Sequence, residues 1–223
     1  MITIKAAVPT KLSSTRPGPV NAAEAESRHH RILTAARRLF VAHGLSGTSL
    51  DAIARESQIT KRTIYLLYQS KEGLFVAALT DCVDAIADAV RRTPDAPNLA
   101  STLIGIAEGY AQALDNPETL AMYRIAIGES ERIPLEARHA INIYGGHSAQ
   151  GVVTALLEKA QERGMVKFHS LDIFSHLFLD LILAPHFTQW LVGASPSFEK
   201  SDAVNRFLKA TDDLYETTFR ITK

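Results

Sequence analysis

Gly44-Leu45-Ser46-Gly47-Thr48-Ser49-Leu50-Asp51-Ala52-Ile53-Ala54, then Thr60-Lys61-Arg62-Thr63-Ile64-Tyr65, then Ser70-Lys71-Glu72-Gly73-Leu74 is the stretch that decides the fold. Gly44 and Gly47 stop a preceding helix, and Thr48 or Ser49 can cap a short second one with Leu50, Ile53 and Ala54 facing inward. A third helix begins at Thr60. Ser70 caps a fourth, with Glu72 in its first turn, where the helix dipole favours negative charge. Two short helices pressed together at an angle need a small residue in the first and apolar residues in the turn and the second. Ala54, Ile59 and Ile64 supply these, the pattern of a helix-turn-helix. The outer face of its second helix carries Lys61, Arg62, Thr63 and Tyr65, groups able to meet phosphates and base edges in a major groove.

Upstream, Ile32, Ala35, Ala36, Leu39 and Phe40 form one apolar face at helical spacing, which predicts a first helix from about Arg28 to His43. Residues 1–27 mix Pro9, Pro17, Gly18 and Pro19 with Ser, Thr and Ala and read as a mobile tail. Downstream, the fourth helix runs to about Arg92. Further helices fit 99–115, 117–131, 134–163, 170–192 and 197–220, with Gly145-Gly146 as a candidate break in the third of these. No strands at regular spacing and no internal repeat are found. The expected fold is all-α with about nine helices: a three-helix N-terminal domain over 28–80 and a larger helical domain over 81–223.

The formal net charge of zero hides an uneven distribution. From Arg28 to Thr80 there are eight Lys/Arg against three Asp/Glu, whereas Asp81 to Lys223 carries thirteen against nineteen. The positive charge therefore accompanies the helix-turn-helix. The single cysteine, Cys82, excludes an intramolecular disulfide framework, reads as a small core residue, and fits a cytoplasmic location. The most apolar stretch, Ile173 to Val192, is broken by His176, Asp180, Pro185, His186 and Gln189, so no membrane span is expected. The N-terminus lacks the basic-then-apolar layout of a secretory signal.

Together with Ala35-Ala36-Arg37-Arg38-Leu39-Phe40, the quoted stretch resembles the signature of the TetR family of transcriptional regulators, with spacing intact. The resemblance implies that Thr48 meets a phosphate at the start of the second helix and Lys71 does so at the start of the fourth. Thr60 would cap the recognition helix, Lys61, Arg62 and Thr63 would face bases or backbone, and Tyr65 would bond a phosphate through its hydroxyl. Ser49 and Tyr68 complete the DNA-facing candidates. Two departures stand out: Gln58 occupies the turn position where the family has glycine, and Leu66-Leu67 replace polar groups that usually follow the tyrosine. A left-handed Gln58 would cost on the order of 1 kcal/mol. A recognition helix of six or seven residues spans only about 10 Å, so useful specificity on double-stranded DNA demands a homodimer.

In the family the last two long helices form the dimer interface. Here Phe174, Leu181, Phe187 and Trp190 on the first, with Phe207 and Leu214 on the second, are its candidates. A fully internal core is the competing reading of these residues. The segment from Asn116 to Gly164 also looks like the C-terminal domain of AefR-like regulators. A small-molecule effector of unknown identity would sit between helices, with Tyr110, Met122, Tyr123, Ile127, His147, His176, Phe178 and His186 as candidate contacts, although residues of these types at helical spacing are more often ordinary core. His139, His147, His176 and His186 form neither an i, i+4 pair nor a Cys-His cluster, so no metal is expected.

Two other functions compete. A helix-turn-helix regulator controlled by a protein partner would share all the DNA-facing features. An enzyme is suggested only by Gly146-His147-Ser148-Ala149-Gln150-Gly151, which imitates a hydrolase nucleophile elbow around Ser148. The elbow needs glycine two residues after the serine, where this chain has Gln150. No P-loop or dinucleotide fingerprint occurs, so no cofactor is expected. The expected activity is that of a repressor released from a palindromic operator by its effector.

Overall fold

The computed structural model describes residues 19–92, 97–164 and 170–194, with isolated positions 204 and 209. Within these, the side chains of 19–21, 136–137, 139–149, 181–188 and 190 fall outside the description. Eight α-helices and one 3-10 turn make up the described residues, which contain no strand. They are α1 (Pro19–Gly47), α2 (Leu50–Ser57), α3 (Lys61–Tyr68), α4 (Lys71–Arg91), α5 (Leu99–Leu114), α6 (Pro117–Gly128), α7 (Leu135–Glu162) and α8 (Leu171–Leu191). The ninth helix expected over 197–220 lies outside the described residues. No described helix is long and apolar enough to cross a membrane.

Several boundaries differ from the sequence reading. Residues 19–27, expected in the tail, belong to α1. Pro19 sits at a first helical position, where its missing N–H costs nothing, and Ala22, Ala23, Glu24, Ala25 and Glu26 are strong helix formers. The turn after α6 tightens into the 3-10 helix Ser130–Arg132. Gly145-Gly146 does not interrupt α7, so Ser148 lies within a continuous helix. That overturns the hydrolase alternative, because an elbow requires a strand turning sharply into a helix.

The chain divides into two compact units, one of residues 1–79 and 125–142 and the other of 80–124 and 143–223. In the first, α2 packs on α1 and α3 on α2. Ile32, Ala36, Phe40, Ile53, Ile64, Leu74 and Phe75 are fully buried, and the rings of Phe40 and Phe75 meet edge-on with centroids 5.2 Å apart. In the second, α5 buries Leu103, Ile106, Ala107, Tyr110, Ala111 and Leu114, a stripe at helical spacing. Val153 and Leu157 of α7 and Phe178 and Leu179 of α8 join the same core. A Cβ on Gly109 would lie 3.3 Å from the Ala89 carbonyl oxygen, which marks a close approach of α5 to α4. Gln150 donates to Asp172 at 2.6 Å and Thr154 pairs with Ser175 at 2.9 Å, tying α7 to α8. Cys82 is buried, as its reading as a core residue requires.

Candidate nucleic-acid interface

The recognition helix α3 is fixed at both ends by local chemistry. Thr60 is its N-cap, with its hydroxyl accepting from the Thr63 amide at 3.2 Å and pairing with the Thr63 hydroxyl at 2.8 Å. Ser49 caps α2 in the same way, accepting from Ala52 N at 3.2 Å. Between the helices Gln58 takes φ 56° and ψ 33°, the left-handed conformation a glycine would adopt without penalty. Its amide and that of Ile59 reach back to Arg55 O and Ala54 O, which closes the end of α2. Arg31 of α1 holds this turn, donating to Ser57 O at 2.6 Å and to Gln58 Oε1 at 3.3 Å. The ion pair Arg38–Glu56 joins the same helices and draws the Glu56 carboxyl below its ordinary range.

The outward face of α3 is sharply divided between occupied and available groups. Lys61 is exposed and paired with Asp51 of α2 at 2.8 Å, a surface ion pair that a phosphate can displace at little cost. Thr63 is committed to the cap. Tyr68 is half-buried, with its hydroxyl 2.7 Å from His29 Nδ1 and its ring stacked on that imidazole, so it fastens α3 to α1. Arg62 and Tyr65 are exposed and have no partner among the described residues. Leu66, one helical turn beyond Arg62, is 67% exposed, and Tyr65 is 60% exposed. An exposed leucine at this place is a feature the sequence reading treated only as a missing polar group.

Beside α3, the corner between α1 and α2 is built from inward-pointing polar groups. Thr48 is buried, and its hydroxyl lies 2.7 Å from Gly44 O and 3.0 Å from Leu39 O, donating into the end of α1. Lys71 donates to Thr48 O at 3.0 Å and to Ser46 O at 3.4 Å. Gly44 breaks the helical path of α1 at φ 71° and ψ 175°. The Glu129 carboxylate closes the corner from a distant part of the chain, accepting from Leu45 N at 2.8 Å, Ser46 N at 3.1 Å and the Ser46 hydroxyl. These bonds, the Ser46 hydroxyl first, hold the Glu129 carboxyl below its ordinary range against the opposing effect of burial. No sequence motif announces Glu129, because its partners lie more than eighty residues away.

The family model for the bacterial regulatory proteins of the tetR family matches residues 32–78. That for the C-terminal domain of AefR-like transcriptional repressors matches residues 101–212, half of the chain. The chain belongs to the TetR family, with an AefR-like C-terminal domain. It is thereby a DNA-binding transcriptional regulator and not an enzyme. The HTH-type transcriptional regulator SrpR of Pseudomonas putida is 41% identical to this TetR-family chain over 58 residues, 26% of the chain and 27% of SrpR. A Mesorhizobium loti protein described as a TetR-family transcriptional regulator shares the fold with a TM-score of 0.70 at 20% identity, over 83% of this chain and 97% of that one. The flavonoid-responsive regulator FrrA matches with a TM-score of 0.61 at 26% identity, over 82% and 94% of the two chains.

In the C-terminal part of this TetR-family regulator the candidate effector contacts separate into two groups. Tyr110, Met122 and Phe178 are buried, and Tyr123 is packed against the same core. Burial raises the Tyr110 hydroxyl well above the phenol range, with Tyr123 adding to the effect, and pushes Tyr123 up to about 12, helped by nearby Cys82. Ile127 and His176 are exposed and do not join the core. Ile127 is five residues beyond Met122, about 140° around α6, and His176 is two before Phe178, on the opposite side of α8. His147 and His186 lie outside the described residues. So do the side chains of the dimer candidates Leu181, Phe187, Trp190, Phe207 and Leu214. Phe174 packs against the core, and α8 turns Ile173 and Leu177 outward instead, 61% and 39% exposed.

Proposed function

We propose that this regulator binds a palindromic operator as a homodimer, represses transcription, and is released by a small molecule held in its C-terminal helices. The observation that carries the DNA reading is α3 itself: a capped, braced helix whose outward face offers Arg62 and Tyr65 with no partner among the described residues, beside a weakly paired Lys61. Arg62 is the candidate for bidentate contact to guanine, and Tyr65 and Lys61 for phosphate. Thr48 and Lys71 act chiefly by shaping the corner that presents the α2 N-terminus, since their polar groups already serve the fold. Dimerisation is assigned to α8, whose exposed Ile173 and Leu177 form an apolar pair one turn apart. FrrA is flavonoid-responsive by name, and its likeness to this chain supports a small-molecule effector here. Effector binding would act through α4, whose span from Lys71 to Arg91 is divided between the two units.

The test is binding to the duplex that the full chain selects from a random library, followed by fluorescence anisotropy across salt. Arg62→Ala should weaken binding by at least tenfold and relax the preference at one base pair, while Lys61→Ala should lower the salt slope by about 1. Unchanged affinity and slope in both variants would refute the assignment of α3 to the groove.

A further inference from the structure

Two hydroxyls in the second unit are buried without a hydrogen-bond partner among the described residues. Tyr110 of α5 and Thr119 of α6 are each 5% exposed, and no described residue donates to or accepts from either hydroxyl. The other buried side-chain polar groups among the described residues of that unit are satisfied: Gln150 by Asp172, and Ser175 by Thr154 and Asp172 O. Buried hydroxyls are normally bonded, so a pair left open where the other described buried polar groups are satisfied points to an acceptor that the described residues do not supply.

Tyr123 connects α6 to the core that contains Tyr110, against which it packs. It lies one helical turn after Thr119 on α6, with neighbouring Cβ atoms ~5–6 Å apart at this spacing. Its phenol is close enough to Tyr110 to raise the latter's proton affinity. The surroundings are apolar and soft: Met122 is fully buried on the same helix, and Phe178, Ile106 and Leu103 belong to the core that contains Tyr110. No Lys, Arg, Asp or Glu is among the buried residues of the described chain, so an ionised group brought here would lack a counter-charge. The Tyr110 phenol is protonated at neutral pH, as any phenol of ordinary pKa is, and so can donate.

We infer that Tyr110 and Thr119 form the polar end of the effector site, and that the effector is a neutral, mainly aromatic or apolar molecule carrying a hydrogen-bond acceptor such as a ketone. The inference rests on the effector-release reading above and specifies its chemistry. Tyr110 and Thr119 donate to the acceptor, and Met122, Tyr123 and Phe178 enclose the apolar body.

Thermal unfolding and titration of the full chain with three probes test this: flavone, a neutral aryl ketone; flavan, the same ring frame without the ketone; and a flavone carboxylate. Flavone should stabilise the chain more than flavan does, and the carboxylate should not bind. Tyr110→Phe and Thr119→Val should each weaken flavone binding by about 3- to 10-fold and leave flavan unchanged. Neither variant should lower the Tm of the unliganded chain, because each removes a hydroxyl with no partner among the described residues. A lower unliganded Tm in both variants, or flavone affinity unchanged in both, overturns the inference. Tighter binding of the carboxylate, with release of DNA, overturns it while keeping the effector reading. A chain that binds none of the probes and no compound of a wider screen overturns both.

Discussion

Gly44→Ala should destabilise the DNA-binding unit far more than a one-methyl change on an ordinary helix. Gly44 sits at φ 71° and ψ 175°, a region open to glycine and closed to residues with a Cβ. Forcing alanine into it costs roughly 1–3 kcal/mol. The added Cβ would also lie 2.9 Å from Glu129 Oε1, too close for contact, so the carboxylate must retreat from the amides of Leu45 and Ser46. Losing one charge-assisted bond of this partly buried group adds about 1 kcal/mol. The total of roughly 2–4 kcal/mol corresponds to a fall of about 5–15 °C in Tm for a chain of this size. Differential scanning fluorimetry measures the fall directly. A double-mutant cycle separates the parts: in a Glu129→Ala background the steric share disappears and only the backbone strain remains. A Gly44→Ala variant that melts within a degree of the parent would refute both the backbone strain and the placement of Glu129 against it.

Four further outcomes follow from other contacts. Gln58→Gly relieves the left-handed strain of ~1 kcal/mol, partly offset by greater unfolded-state freedom and the lost contact to Arg31, so Tm should rise by about 1–2 °C; a fall would show that Gln58 is not strained. Glu129→Gln should lower stability at pH 7. Because the folded carboxyl titrates below the ordinary range of about 4.3, the wild-type advantage is complete above that value and lost as pH falls through the folded pKa. Denaturant melts at pH 7 and pH 3 that show the same gap would contradict this. Asp84, raised by burial and by Asp81 and Asp88, is less favourable when ionised; Asp84→Asn should stabilise by about 0.2–0.5 kcal/mol at pH 7, with the gain shrinking in acid, as paired melts at the two pH values would show. Replacing one thymine by uracil in the selected duplex removes a methyl worth ~0.8 kcal/mol, about a fourfold loss if Leu66 covers it; anisotropy should show that the loss vanishes in Leu66→Ala.

The parts of this molecule that were legible in the sequence are those fixed within a few residues. The cap at Thr60, a cap at Thr48 or Ser49 that the structure places on Ser49, and the apolar faces of α1 and α2 follow from local side-chain-to-backbone chemistry and helical spacing, whereas the left-handed Gln58 was legible only through the glycine that the family has at that position. The helix over 19–27 was obscured by proline and glycine around it, although the Ala and Glu residues that follow favour helix. On α8 the apolar residues cover so much of the circumference that spacing could not distinguish the inward Phe174 and Phe178 from the outward Ile173 and Leu177. The same ambiguity put Ile127 and His176 among the buried candidates. Glu129 was illegible for a different reason: a single carboxylate bonding amides more than eighty residues away has no period and no motif.

Sorting polar groups by whether the fold already uses them also changes what the family resemblance implies. Thr48 and Lys71 occupy the positions implied for phosphate contact, yet the Thr48 hydroxyl is buried on Gly44 O and Leu39 O, and Lys71 reaches Thr48 O. One lysine can serve both roles, because its three donors allow a phosphate to be added while a carbonyl is kept. A buried threonine hydroxyl spent on two carbonyls has no second donor, so the backbone at the α2 N-terminus, held in place by that hydroxyl, is the better anion contact. On the proposed reading, the corner around Gly44, Thr48 and Glu129 would act on DNA binding through position, and Arg62, Tyr65 and Leu66 through contact. Substitutions at the corner should move stability and affinity together, and substitutions on the face of α3 should move affinity alone. That separation distinguishes a brace from a reading surface within one compact unit.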